Sequence, residues 1–132
     1  MKKGRISLAL IALLFAGIAA AQEISYIESD GNWHRLYDAK GKLIKGFARS
    51  SVGEVVGWGS TFFVGKSSGF YRIFDVKGRV MASQSISNVG EVLSVSAETI
   101  TSRKGSWILI WDKKFKKTGS RPAPNSKLST LS

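Results

Sequence analysis

The chain has 132 residues, with 20 Lys and Arg against nine Asp and Glu, one His and no Cys. The absence of cysteine excludes disulfides, zinc–thiolate centres and thiol catalysis. A formal charge of +11 directs attention to anionic partners such as acidic polysaccharide, lipid headgroups or an acidic protein, with plain solubility as the bland reading.

Residues 1–21 read as an export signal. Lys2, Lys3 and Arg5 form a basic head, Leu8 to Ala16 an apolar run, and Ala19-Ala20-Ala21 the small-x-small site, with cleavage expected before Gln22. The apolar run falls short of the ~20 residues of a spanning helix. No Cys follows it to carry a lipid, so the mature protein is expected to be secreted or periplasmic, meeting the membrane only during export. That destination disfavours nucleic acid as a partner. A disulfide-free exported chain also suits a bacterial periplasm or exterior.

From residue 22 to 121 the chain repeats itself at a spacing of 37 residues without gaps. "NWHRLYDAKGKL" from Asn32 aligns with "GFYRIFDVKGRV" from Gly69 and "SWILIWDKKFKK" from Ser106, and "VGEV" recurs at Val52 and Val89. A fixed period in this range marks a reiterated supersecondary unit. Val, Ile, Phe, Tyr and Trp fill short segments divided by turn residues, which predicts strands near 24–29, 33–38, 42–49, 53–58 and 61–66, with counterparts 37 residues on. The expected fold is all-β: about eleven short antiparallel strands in nearly three repeats. One flat sheet of that width would leave apolar faces and edges open. A propeller-, trefoil- or prism-like closure with approximate threefold symmetry avoids this. No helix is expected in the mature chain, and 122–132, rich in Pro and Ser, reads as a flexible tail.

Asp38–Gly41 and Asp75–Gly78 suit a type I turn followed by a Gly bulge. The third unit places Phe115 where Gly is wanted, so its hairpin is expected to be looser or differently turned. Strand alternation puts Trp33, Arg35 and Tyr37 on one face, matched by Phe70, Arg72 and Phe74 and by Trp107, Leu109 and Trp111. A large ring recurring in every unit is expected to build a shared core; an exposed strip stacking on sugars is the alternative. His34, matched by Tyr71 and Ile108, reads as a wall position.

Two places carry candidate binding chemistry. Trp58, between Gly57 and Gly59, could serve as a sugar-stacking platform on a thin strand end, or simply pack. "KKFKK" at 113–117 with Trp111 and Arg121 is the densest basic–aromatic cluster and could hold phosphate, sulfate or uronate groups. The candidate ligand-binding set is therefore Trp58, Trp111, Lys113, Lys114, Lys116, Lys117 and Arg121. With one His, no thiol and no glycine-rich phosphate loop before a helix, no catalytic residue, metal ligand or cofactor is assigned.

The pattern "YDxxGK", "SxVGEV" and a "GxW" re-entry, following "AAAQE", resembles small exported β-repeat proteins of Bacteroidota; the resemblance spans 24–121 and implies no catalytic residues. "SDGNWHRLYDAKGK" is also similar to the "DGNLVLYD" strands of bulb-type mannose lectins. However, an extra residue separates Asn32 from Tyr37 and later copies lack the Asp and Asn, so that sugar site does not transfer. WG-type repeats share the period and the aromatic–Gly character but no motif. The expected function is an exported, non-catalytic binding module for glycan or anionic envelope components. The alternative is a structural or protein-interaction module pairing through exposed strand edges.

Overall fold

Short runs of β-branched and aromatic residues, each closed by a turn built on Asp, Ser or Gly, form eleven antiparallel strands in a computed structural model that describes residues 22–124. The expected export signal, and residues 125–132 of the expected tail, lie outside the described residues.

The strands form three meanders in chain order. The first sheet holds β1 (Tyr26–Ser29), β2 (Trp33–Tyr37) and β3 (Leu43–Ala48). The middle sheet holds β4 (Glu54–Trp58), β5 (Phe62–Ser67), β6 (Phe70–Asp75) and β7 (Val80–Ser85). The last holds β8 (Glu91–Val95), β9 (Thr99–Lys104), β10 (Trp107–Asp112) and β11 (Lys117–Pro122). β11 thus runs one residue into the expected tail: Pro122 pairs with Trp107, and the Ala123 N–H donates to the Ser106 carbonyl at 2.8 Å.

Two single-turn helices, α1 (Arg49–Val52) and α2 (Ile86–Val89), join the sheets where no helix was expected. They are too short to show helical periodicity, and local chemistry produces them. The Asn88 N–H donates to the Ser85 hydroxyl at 3.2 Å, and each turn ends at a glycine with φ near +85°, Gly53 and Gly90. A side chain there would be strained, and at Gly90 its Cβ would also collide with the Arg103 carbonyl. The last residue of each turn, Val52 or Val89, is buried as a plug between sheets.

Strand alternation makes the middle sheet apolar on both faces. Phe62, Val64, Tyr71 and Ile73 pack with Ile100, Leu109 and Trp111 of the last sheet. Phe63 and Phe74 point the other way and pack with Ile27 and Leu36 of the first. Polar contacts also join the sheets. Tyr71 Oη donates to the Gly90 carbonyl at 2.9 Å, and His34 Nε2 lies 2.7 Å from the Gly53 carbonyl. A carbonyl only accepts, so Nε2 donates to it, and Nδ1 lies 2.6 Å from the Ser29 hydroxyl, which can donate or accept. His34 is fully buried with both nitrogens partnered, as a wall residue must be.

All three hairpin turns share one geometry, including the one that lacks glycine. Asp38, Asp75 and Asp112 each accept two backbone N–H groups on Oδ1, from the residues two and four positions later, at 2.8–3.0 Å. The expected loosening at Phe115 does not occur. Phe115 takes φ +58° and buries its ring edge-on against Trp111, centroids 5.8 Å apart. A left-handed residue costs about 1–2 kcal/mol, and burying a Phe side chain stabilises by about 1.5–3 kcal/mol, so packing outweighs the strain.

Candidate functional site

β10 carries Trp107, Leu109 and Trp111 on one face, and pairing brings a polar partner beside each. Trp107 faces Lys104 of β9, Leu109 faces Ser120 of β11, and Trp111 faces Lys117 of β11. Asn88, from α2, reaches the same place across the boundary with the middle sheet. Together these residues line an open pocket of about 370 Å³. Its base is apolar, since Leu109 and Trp111 are buried. Its rim has a half-exposed indole, two lysines, an amide and a hydroxyl, and among the described residues no carboxylate lines it. Such a pocket can hold a flat ligand face against Trp107 while two cations attract an anionic substituent.

The residues singled out from sequence are dispersed by the fold. Trp111 and Lys117 enter this pocket, but Trp111 as floor: its ring is 6% exposed and its Nε1 donates to the Ser102 hydroxyl at 2.9 Å. Lys113 pairs with Glu98 at 3.1 Å, and Lys114 and Lys116 stand on the exposed turn. There the backbone N–H groups of Lys116 and Lys114 hold the Asp112 carboxyl below its usual range. Arg121 is opposite Ile108 and so points to the other face of the sheet. Sequence adjacency had grouped side chains that a strand directs to opposite sides.

Trp58 is half-buried at the end of β4, its ring edge-on to Tyr26 at 6.0 Å. It borders a shallower hollow of about 280 Å³ with Ile24, Gly59, Ser60, Val95, Ser96 and Ala97, none of them charged. The glycines beside Trp58 do permit close backbone approach: a Cβ on Gly57 would lie 2.5 Å from Val95 Cγ2, and one on Gly59 would lie 2.7 Å from the Ala97 carbonyl.

The expectation that Trp33, Phe70 and Trp107 build a shared core is corrected. They are 46%, 48% and 50% exposed, because each lies at the strand end beside a hairpin loop, beyond the reach of the neighbouring sheet. Phe70 borders its own hollow of about 280 Å³ with Ser67, Ser68, Arg72 and Ser83, at the positions 37 residues before Lys104, Gly105, Leu109 and Ser120. The residues missed by sequence reasoning are Lys104, Asn88 and Ser120, while Trp107 entered as a core position with an exposed sugar-stacking strip as the alternative. The pair Lys104–Trp107 had a readable signal: "KGSW" is a two-residue hairpin loop that sets the lysine beside the indole. Asn88 and Ser120 had none, since only tertiary folding brings them there.

No family model matches the chain, and no curated protein matches it. Among solved structures, Hsv2 of Kluyvelomyces marxianus aligns over 77% of this chain with a TM-score of 0.47 and 16% identity. The chain spans 40% of the length of that structure.

Proposed function

We propose that this protein is an exported, non-catalytic binding module that takes an acidic glycan at the Trp107 pocket. A sugar ring stacks on the exposed indole, and Lys104 and Lys117 hold its carboxylate or sulfate, with Asn88 and Ser120 supplying hydrogen bonds to hydroxyls. The observation that carries this reading is the pairing of a half-exposed tryptophan with two lysines around a pocket that no acid lines among the described residues. The three sheets are read as successive copies of one four-stranded unit in a propeller-like series, the first of them, with three strands, lacking the counterpart of β4 and β8 among the described residues. In support, β2, β6 and β10 start at Trp33, Phe70 and Trp107, and α1 and α2 at Arg49 and Ile86, all 37 apart. The basic and apolar leader at 1–21 supports export.

The test is calorimetric titration of the purified protein with a polyuronate and, separately, a neutral glucan. The polyuronate is expected to bind, with affinity falling as salt rises from about 50 to about 200 mM. Trp107→Ala should weaken binding at least about tenfold, the scale of losing one aromatic anchor. Lys104→Ala with Lys117→Ala should flatten the salt dependence. Equal binding of the neutral glucan, or polyuronate binding indifferent to both changes, would remove the proposal.

A further inference from the structure

The Trp107 pocket has a counterpart one sheet earlier, in the hollow beside Phe70. Ser67, Phe70, Arg72 and Ser83 line that hollow, 37 positions before Lys104, Trp107, Leu109 and Ser120 of the Trp107 pocket. The linking turns match as well. Asn88 of α2 lines the Trp107 pocket, and Ser51 of α1, 37 residues before it, offers its carbonyl to Arg72 Nη2 at 3.4 Å. Each place therefore lies where a linking turn meets the rim of the sheet that follows it. The cation differs: Lys104 of the last sheet becomes Ser67 in the middle one, and Leu109 becomes Arg72.

The first sheet shows what an arginine at this position holds. Arg35 stands 37 residues before Arg72; its Nη1 donates to Asp30 Oδ2 at 2.5 Å and lies 3.8 Å from Glu28 Oε1. Arg35 is also the main cause holding the Asp30 carboxyl below its usual range. In the middle sheet both carboxylates are gone. Ser67 stands where Asp30 would be and Gly65 where Glu28 would be, and at Gly65 no side chain fits against the Val52 carbonyl. Arg72 keeps its long hydrogen bond to Ser51, and its guanidinium lies 5.4 Å from the Phe74 ring centroid. Among the described residues it forms no ion pair. A half-buried guanidinium with open N–H donors thus stands two residues from a half-exposed ring, in a hollow that no carboxylate lines among the described residues.

We infer that the Phe70 hollow is a second binding site, in which a uronate carboxylate on Arg72 takes the place that the Asp30 side chain holds on Arg35. The planar guanidinium donates to the carboxylate, as arginine does wherever such groups are bound. The sugar ring lies against Phe70, and the hydroxyls of Ser67, Ser68 and Ser83 around the hollow serve its polar edge. That the carboxylate belongs to a sugar rests on the reading of the Trp107 pocket; that it sits on Arg72 rests on the Arg35–Asp30 pair alone. The first sheet offers no third site of this kind, because its arginine is already occupied from within the chain.

Titration of the nitrogen-15-labelled protein with trigalacturonate, followed by two-dimensional NMR, tests this site by site. The amides of Ser67, Ser68 and Phe70 and the Arg72 Nε–H should shift, and neutral maltotriose should leave them in place. Ser67→Asp builds the first sheet's ion pair into the middle one. It should weaken binding at this hollow at least about tenfold, the scale of one charge-assisted hydrogen bond, and leave the response of the Trp107 indole N–H unchanged. Ser67→Asn, of the same size without the charge, should bind as wild type. Arg72→Gln should lose the site as well; because it also gives up the contacts to Ser51 and Phe74, the Ser67 pair decides the matter if that variant does not fold. Shifts at the Trp107 indole with none around Phe70 would overturn this inference and leave the Trp107 proposal standing. Shifts around Phe70 alone would support it while removing the Trp107 proposal. Wild-type binding by Ser67→Asp, or an equal response to maltotriose, would also overturn it.

Discussion

Trp107 and Trp111 lie on the same strand and the same face, four residues apart, and experience opposite environments. The first is half-exposed on the rim of a pocket; the second is buried beneath it, with its N–H donating to Ser102 and its ring meeting Phe115. Sequence and secondary structure treat the two alike. The difference arises from how far the middle sheet reaches along β10, which covers Trp111 and leaves Trp107 half-exposed on the rim.

The largest effects should come from the buried end. Trp111→Ala is expected to cost about 3–5 kcal/mol in denaturant unfolding, the range for removing a buried large aromatic. Trp107→Ala should stay within about 0.5 kcal/mol of wild type, as surface changes do, while weakening polyuronate binding at least about tenfold. If the two losses were alike, the contrast between the residues would fail.

A sharper probe is Phe115, which supports Trp111 from a left-handed backbone. Both Phe115→Ala and Phe115→Gly lose the ring, but only glycine is at ease at φ +58°. The glycine variant should therefore be the more stable of the two by about 1 kcal/mol, although it removes one more carbon. An alanine variant that is as stable as the glycine one would show that the turn carries no strain.

The smallest effect is expected in the turn itself. The Asp112 carboxyl is held low by backbone N–H groups, so the stability it contributes is present above the ordinary unfolded carboxylate value and is lost as pH falls through the lower folded value. Asp112→Ala should be less stable than wild type at neutral pH, and the gap should close below about pH 4. A gap that is constant with pH would mean that charge is irrelevant to the turn.

Some of this was legible in the residues. The Asp-x-x-Gly turns, the alternating aromatics and the glycines before "EV" marked eleven strands and their ends to within two residues, because turn chemistry and strand period are local. The single-turn helices were missed because four residues show no period. The site was only half legible. "KKFKK" looked like one cluster, yet Lys113 turns to Glu98, Lys117 to the pocket, and Arg121 to the far side.

By itself, then, the sequence determined the strand class, the turn positions and the basic character, all of which depend on neighbours a few residues away. Only the tertiary structure decided which aromatics are core, and that Asn88 and Ser120 join Lys104 around Trp107. Those outcomes depend on which sheet face meets which. Burial is a property of the surface arriving from elsewhere in the chain, and no local pattern of residues encodes how far that surface extends.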